Sequence, residues 1–207
     1  MISRLYAIAD AGVLAARGVA LEEFARELRA AGVALVQYRD KTGAPQEVLR
    51  AAAVLQKAFA GTACRLIMND RPDLAVLARF DGVHVGQGDL LPEDARRVVG
   101  AQRWVGVSTH TEEQVQAAES SSVDYVAIGP AFATGTKLDA ERVVGIEGVR
   151  RARALTRKPL VAIGGITREN ARSVIEAGAD SVAVISGLFA PGESVEQVAR
   201  DFLELLR

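Results

Sequence analysis

The sequence predicts an α/β fold, a single (β/α)8 TIM barrel, and three observations lead to it. Short apolar runs suited to buried parallel strands alternate along the chain with stretches rich in Ala, Leu, Glu and Arg that suit helices. No Ser-, Pro- or Gly-rich linker and no shift in composition divides residues 1–207, so one domain is expected. Nearly every strand-like run ends in residues able to touch a phosphate, a metal ion or a polar ring, and a parallel barrel gathers such groups on the loops that follow its strands.

Taken in order, strands are expected at about residues 4–9, 33–39, 64–69, 81–85, 103–107, 123–128, 159–163 and 181–185. Helices fit between them at about 20–31, 45–59, 72–79, 92–99, 111–119, 146–156, 168–177 and 194–206. Thr111 with Gln114 and Ser194 with Gln197 have the spacing of a capping box, in which a hydroxyl and an amide satisfy the free amides of a first helical turn. Eight such units could close as a barrel or lie open as a doubly wound sheet, and periodicity does not separate the two. The first strand is not followed by the Gly-x-Gly-x-x-Gly turn of a dinucleotide-binding sheet, and a barrel explains why functional residues follow almost every strand.

A chain of 207 residues is long enough for a sizeable core but short for such a barrel, for which roughly 250 is usual, so long inserted lids are not expected. With 49% hydrophobic residues, 25% charged residues and a net charge of -1, no bulk field favours nucleic acid or an anionic membrane, and any anion must be held locally. The single cysteine, Cys64, excludes an intrachain disulfide and fits a reducing compartment as filler beside a core strand. The N-terminus runs directly into Leu5-Tyr6-Ala7-Ile8-Ala9 without a signal-peptide pattern, and no apolar run would span a bilayer, so a cytoplasmic location is expected.

At the end of the second strand, alternation turns Gln37, Arg39 and Lys41 to one side, so an amide and two cations converge as a diphosphate clamp would require. The plainer reading is a solvated loop with an Arg–Asp pair worth about 0–1 kcal/mol. Asp70 and Asp89 follow the third and fourth strands. Hard oxygen donors without His or Cys at zinc spacing suggest Mg²⁺, which takes one or two carboxylates and completes its shell with water and phosphate oxygens. Alternatively each Asp caps the helix that follows it.

Gly129-Pro130-Ala131-Phe132-Ala133-Thr134-Gly135-Thr136-Lys137 reads as an anion-binding loop or as an ordinary surface loop. Gly164-Gly165 and Ser186-Gly187 stand where barrels of this kind bind a monophosphate through backbone amides, or serve only tight turns. His84 and His110, the two histidines, are read as structural before catalytic, and Trp104 and Phe132 as core and loop anchors.

The ordered set Gln37-x-Arg39-x-Lys41, Asn69-Asp70-Arg71, His84-x-Gly86-x-x-Asp89, Val107-Ser108-x-His110, Asp124-Tyr125, Gly129-Pro130-x-Phe132-x-Thr134-x-Thr136-Lys137, Ile163-Gly164-Gly165-Ile166 and Ile185-Ser186 resembles the thiamine-phosphate synthase (thiamine-phosphate pyrophosphorylase) family over essentially the whole chain. The resemblance implies a transferase that joins hydroxymethylpyrimidine diphosphate to hydroxyethylthiazole phosphate with release of pyrophosphate. It implies that Gln37, Tyr38, Arg39, Asp40 and Lys41, with Asn69, bind the pyrimidine diphosphate, and that Asp70 and Asp89 hold Mg²⁺. Ser108 and Lys137 would complete the pyrophosphate site, and Thr134, Gly135, Thr136, Gly165, Ile185 and Ser186 the thiazole-phosphate site. Arg39, Lys41, Ser108 and Lys137 would then stabilise the leaving pyrophosphate, and no protein nucleophile is required.

Ala133 and Leu138 depart from the family's frequent proline and lysine, touching the rigidity and charge of one loop. A related thiazole tautomerase shares the barrel but, by the same resemblance, does not keep both aspartates. A noncatalytic ligand-binding barrel would leave the Asp pair and Lys137 without a role, and a phosphosugar isomerase would need an acid/base pair that is not identifiable here. The partners expected are small molecules, with no nucleic acid and no membrane, and the apolar helix faces leave room for a homo-oligomer.

Overall fold

The eight expected strands all form, and they close on themselves. The structure, a computed structural model, describes residues 2–135 and 142–207. Strands β1 (Leu5–Asp10), β2 (Leu35–Arg39), β3 (Arg65–Asn69), β4 (Gly82–Val85), β5 (Trp104–Thr109), β6 (Tyr125–Ile128), β7 (Leu160–Ile163) and β8 (Ser181–Val184) pair in parallel in sequence order. Strand β8 returns to β1 in the register Leu5↔Val182 to Ala7↔Val184, and this pairing excludes the open doubly wound alternative.

Around the barrel run α1 (Ala11–Arg17), α2 (Leu21–Ala31), α3 (Pro45–Phe59), α4 (Pro72–Leu77), α5 (Pro92–Val99), α6 (Glu112–Glu119), α7 (Gly145–Leu155), α8 (Ala171–Glu176) and α9 (Val195–Leu205). Helix α1 and a 3-10 turn at Ser186–Leu188 are additions to the expected elements. Seven residues are too few for a helical period to show. What makes α1 is its ends: the Asp10 carboxylate accepts from the Val13 amide, and Gly18, at φ 65, donates back to Ala15 and Leu14. The expected hydroxyl caps are present, Thr111 and Ser194 accepting from the Gln114 and Gln197 amides.

Strand alternation divides the interior into two cores. Leu5, Ala7, Ala9, Val36 and Tyr38 face the helices, whereas Tyr6, Ile8, Leu35, Ile67, Tyr125 and Val161 fill the barrel itself. Gly106 makes room for this inner layer, since a Cβ there would lie 2.1 Å from the Tyr125 ring.

At the opposite end from the site, one device recurs three times. Asp81, Asp124 and Asp180 immediately precede β4, β6 and β8, and each carboxylate accepts from the amide of Leu66, Val105 or Leu160 at 2.7, 2.7 and 2.8 Å. Each aspartate's own amide donates back to the carbonyl of that same residue. These reciprocal pairs staple the starts of β4, β6 and β8 each to the strand before it, which satisfies edge amides and secures register. Among the described residues no helix is long and apolar enough to cross a membrane.

Candidate active site

Inward-facing positions of β2 carry Gln37 and Arg39 into the barrel, and Lys41 follows at the rim. The Arg39 guanidinium donates to Oδ2 of Asp10, while Oδ1 of Asp10 accepts from the Val13 amide at 2.9 Å. One buried carboxylate thus holds both the first turn of α1 and the cation of β2. The predicted solvated Arg–Asp surface pair is therefore not what Arg39 makes: its side chain is 15% exposed and that of Asp10 is 7% exposed.

Lys41 donates through Nζ to the Asp70 carboxylate. Asp70 takes the left-handed conformation, φ 59, and its amide donates to the His84 carbonyl at 2.8 Å, which turns the side chain off the end of β3 toward the loop after β4. In that loop Asp89 accepts from the Gly86 amide at 2.8 Å. Burial pushes the Asp70 carboxyl above the ordinary carboxylate range; the Lys41 bond opposes this shift, and the adjacent Asp89 carboxyl adds to it. Neither aspartate caps a helix, for α4 and α5 start at Pro72 and Pro92 behind Arg71 and Leu91 without a side-chain cap. Among the described residues no cluster of three or more His, Cys, Asp or Glu could hold a metal. Two neighbouring carboxylates are nonetheless a donor set that suits a hard divalent cation completing its shell from substrate and water.

Below the rim, Arg39, Asn69, His84 and Ser108 line a small polar cavity of about 80 Å³ together with Lys41, Asp70 and Asp89. Gln37 donates through Nε2 to the Tyr6 hydroxyl at 2.8 Å. The Asn69 Nδ2 is buried without a hydrogen-bond partner. An unpaired buried amide costs on the order of 1–3 kcal/mol, so an acceptor on a bound ring would be well placed to relieve it.

A wider cavity of about 390 Å³ opens beside Lys41 and Asp89, and Thr134, Gly165, Ile185 and Ser186 line its far side. Gly165 sits at φ 62, and a Cβ there would lie 2.5 Å from the Ala133 carbonyl oxygen, so the loops after β6 and β7 touch only because this residue is glycine. His110 donates from Nδ1 to the Gly129 carbonyl at 2.6 Å and faces the same cavity.

The sequence-predicted residues are not all brought together. Tyr38 faces the helix-side core, and its hydroxyl donates to Asp40, whose carboxylate accepts from the Thr42 and Gly43 amides. Alternation on β2 forces this, because a strand that points Gln37, Arg39 and Lys41 inward points Tyr38 outward. Neither the Tyr38 nor the Asp40 side chain lines the two cavities, and the bonds they make hold the loop after β2. Gly135 is exposed and does not line the cavities, and Thr136 and Lys137 lie outside the described residues. Asp10 and Tyr6 escaped the sequence reading, and Tyr125 entered it only within the Asp124-Tyr125 motif, without a role. Asp10 ends an apolar run like the residues that were noticed, whereas Tyr6 and Tyr125, as aromatics within strands, look like ordinary core.

A closed parallel barrel with cationic, carboxylate and amide groups converging at the C-terminal ends of its strands defines a (β/α)8-barrel enzyme. Comparison with known proteins narrows this. The model of the family described as thiamine monophosphate synthase matches residues 5–188. The chain is 53% identical to the thiamine-phosphate synthase of Koribacter versatilis, covering 99% of this chain and 96% of that one. It is 39% identical to that of Methanosarcina mazei, over 98% and 82% of the two chains. The solved structure of thiamine phosphate pyrophosphorylase from Pyrococcus furiosus superposes with a TM-score of 0.86 at 30% identity, covering 98% of this chain and 95% of that one. The chain belongs to the thiamine monophosphate synthase family, and it is a transferase that forms thiamine phosphate with release of pyrophosphate.

Proposed function

We propose that the protein condenses 4-amino-2-methyl-5-hydroxymethylpyrimidine diphosphate with hydroxyethylthiazole phosphate, using Mg²⁺ held by Asp70 and Asp89. The observation that carries this reading is one small cavity in which Arg39, Lys41, Ser108 and the paired carboxylates meet, next to a larger one lined by Gly165, Ile185 and Ser186. Two adjoining compartments suit two substrates, and the cations suit a diphosphate.

The bond between the pyrimidine methylene carbon and its diphosphate oxygen breaks, with the electron pair leaving on oxygen. The electron-rich aminopyrimidine carries the resulting benzyl-like cation, and the thiazole nitrogen lone pair then forms the new carbon–nitrogen bond. Arg39 and Lys41 stabilise the negative charge that develops on the departing diphosphate, and Ser108 donates a hydrogen bond to it. Gln37 and Asn69 orient the ring, so that the methylene carbon faces the thiazole. Thr134, Gly165, Ile185 and Ser186 hold the thiazole phosphate. When bound, Mg²⁺ supplies further positive charge to the diphosphate. No proton need pass to or from the protein. The reading is of a cytoplasmic enzyme acting on small molecules.

The experiment is incubation of purified protein with both substrates, with Mg²⁺ or with EDTA, following thiamine phosphate and pyrophosphate by chromatography. Both products should appear only with metal. Asp70→Ala and Asp89→Ala should remain folded and lose diphosphate-dependent turnover; full turnover in either would sink the metal assignment. Folded protein that makes no product would sink the substrate assignment.

A further inference from the structure

Beneath the site, the barrel holds a continuous chain of side-chain hydrogen bonds. Gln37 Nε2 donates to the Tyr6 hydroxyl at 2.8 Å, and Tyr6 and Tyr125 share a hydroxyl–hydroxyl bond of 3.0 Å. Tyr125 lies 2.9 Å from His84 Nδ1, and His84 Nε2 lies 2.9 Å from the Ser108 hydroxyl. Both phenols are essentially inaccessible to solvent, at 1% exposure. Burial pushes both phenols above their ordinary range, so each keeps its proton.

The order of protons along this chain follows from donor arithmetic. Tyr6 accepts from Gln37, and the Tyr125 oxygen is the other partner of its hydroxyl among the described residues, so the order that gives the buried Tyr6 proton an acceptor sends it to Tyr125. In that order Tyr125 gives its proton to His84 Nδ1, which is then the accepting nitrogen of a neutral imidazole. His84 then carries its proton on Nε2 and donates to Ser108. With its oxygen already accepting from His84, Ser108 turns its own proton toward the cavity shared by Arg39, Lys41, Asp70 and Asp89. At the other end, a Gln37 amide anchored by Nε2 offers its carbonyl oxygen to a ligand.

We propose that Tyr6, Tyr125 and His84 act as positioning residues, a one-directional relay that makes Gln37 an acceptor and Ser108 a donor toward the substrate. The proposal rests on the function assigned above only for what those two ends touch. Gln37 then accepts from an exocyclic amine, and Ser108 donates to an anionic oxygen. A ring offering an acceptor where the amine should be would meet a carbonyl lone pair, so the relay also supplies specificity. Reversing the Tyr6–Tyr125 bond would leave the buried Tyr6 proton without an acceptor among the described residues, which low dielectric makes costly.

The test is ¹⁵N NMR of the histidine rings in the whole protein at about pH 8, above the ordinary imidazole range, with kinetics of two variants. There are two histidines, so a His110→Gln sample assigns the His84 signals. Wild type should show His84 protonated on Nε2 and bare on Nδ1. Tyr6→Phe should leave that tautomer in place and raise KM for the pyrimidine diphosphate about tenfold, the scale of one hydrogen bond. Tyr125→Phe should mix the two tautomers and also lower kcat by about tenfold, because it disturbs Ser108 as well. A purely structural role would leave the tautomer unmoved by Tyr125→Phe and would not split KM from kcat between the variants; either result overturns the relay. If Tyr125→Phe fails to fold, the wild-type spectrum and Tyr6→Phe still decide. Wild type with the Nε2 proton but no thiamine phosphate formation would sink the assigned reaction while supporting the proton order. Wild type that turns over with the proton on Nδ1 would sink the relay alone.

Discussion

Asp10 is where the fold and the site share an atom group, and the energy of that sharing can be worked out. One carboxylate oxygen accepts from the Val13 amide at 2.9 Å and the other from the Arg39 guanidinium. With side-chain exposures of 7% and 15%, the ion pair is desolvated enough that removing one partner strands a buried charge. Breaking such a pair costs about 3–5 kcal/mol, and the open side of Arg39 toward the cavity argues for about 3. Losing the helix cap adds about 1 kcal/mol.

Asp10→Asn keeps an oxygen for Val13 and loses only the charge, so it should cost about 3 kcal/mol, and Asp10→Ala, losing both, about 4 kcal/mol. In thermal melts the second corresponds to a fall of about 8–16 °C for a chain of this size. Arg39→Met should cost a similar amount by stranding the carboxylate. The Asp10→Asn/Arg39→Met double variant should recover part of the loss, with a coupling of about 2–3 kcal/mol. Urea unfolding of all four variants at constant slope is the assay. A coupling below about 0.5 kcal/mol would place the pair with screened surface bridges and refute the argument. Equal destabilisation by Asn and Ala would refute the cap.

Three further expectations concern other parts of the molecule. Tyr6, Tyr38 and Tyr125 are all the tyrosines, and burial is the leading cause that raises each of them. Groups raised in the folded state lend stability that is intact below the free phenol value of about 10 and is lost as pH climbs through the higher folded values. Phenolate absorbance at high pH should therefore stay low and then rise together with unfolding; a gradual rise near pH 10 in folded protein would contradict the burial. Asp124→Ala should cost about 1–3 kcal/mol by leaving the buried Val105 amide without its side-chain acceptor, with kcat/KM unchanged because this staple lies at the far end of the barrel. A kinetic defect without a stability change would reverse that assignment. Gly165→Ala should raise KM for the thiazole phosphate, since its Cβ would need 2.5 Å from the Ala133 oxygen at a left-handed φ; wild-type kinetics would show that the two loops need not touch.

What was legible in the sequence had a local physical cause. Apolar runs over Val36, Val83, Val105, Val126 and Val161 signal strands because a buried parallel strand is apolar on both faces. Pro at positions 45, 72 and 92 marks helix starts because proline lacks the amide that a first turn cannot use. Alternation along β2 put Gln37, Arg39 and Lys41 on one side without any tertiary information, and the same rule, applied strictly, would have turned Tyr38 away. The ordered motifs carried the family.

Tertiary structure decided what depends on distance between residues remote in sequence. Closure rests on β8 reaching β1, and no local preference at Leu5 or Val182 encodes it. Helix α1 exists because Asp10 and Gly18 end it, with too short a span to show a period. Asp70 and Asp89 could each have capped a helix. That they meet instead follows from the left-handed turn at Asp70 and from the Gly86 loop. Tyr6 and Tyr125 read as core in one dimension, since a sequence shows that an aromatic is buried but not which hydroxyl, 119 residues away, its own will meet. Burial is written in composition and periodicity; the pairing of polar groups inside it is settled only when the barrel closes and each donor must find an acceptor.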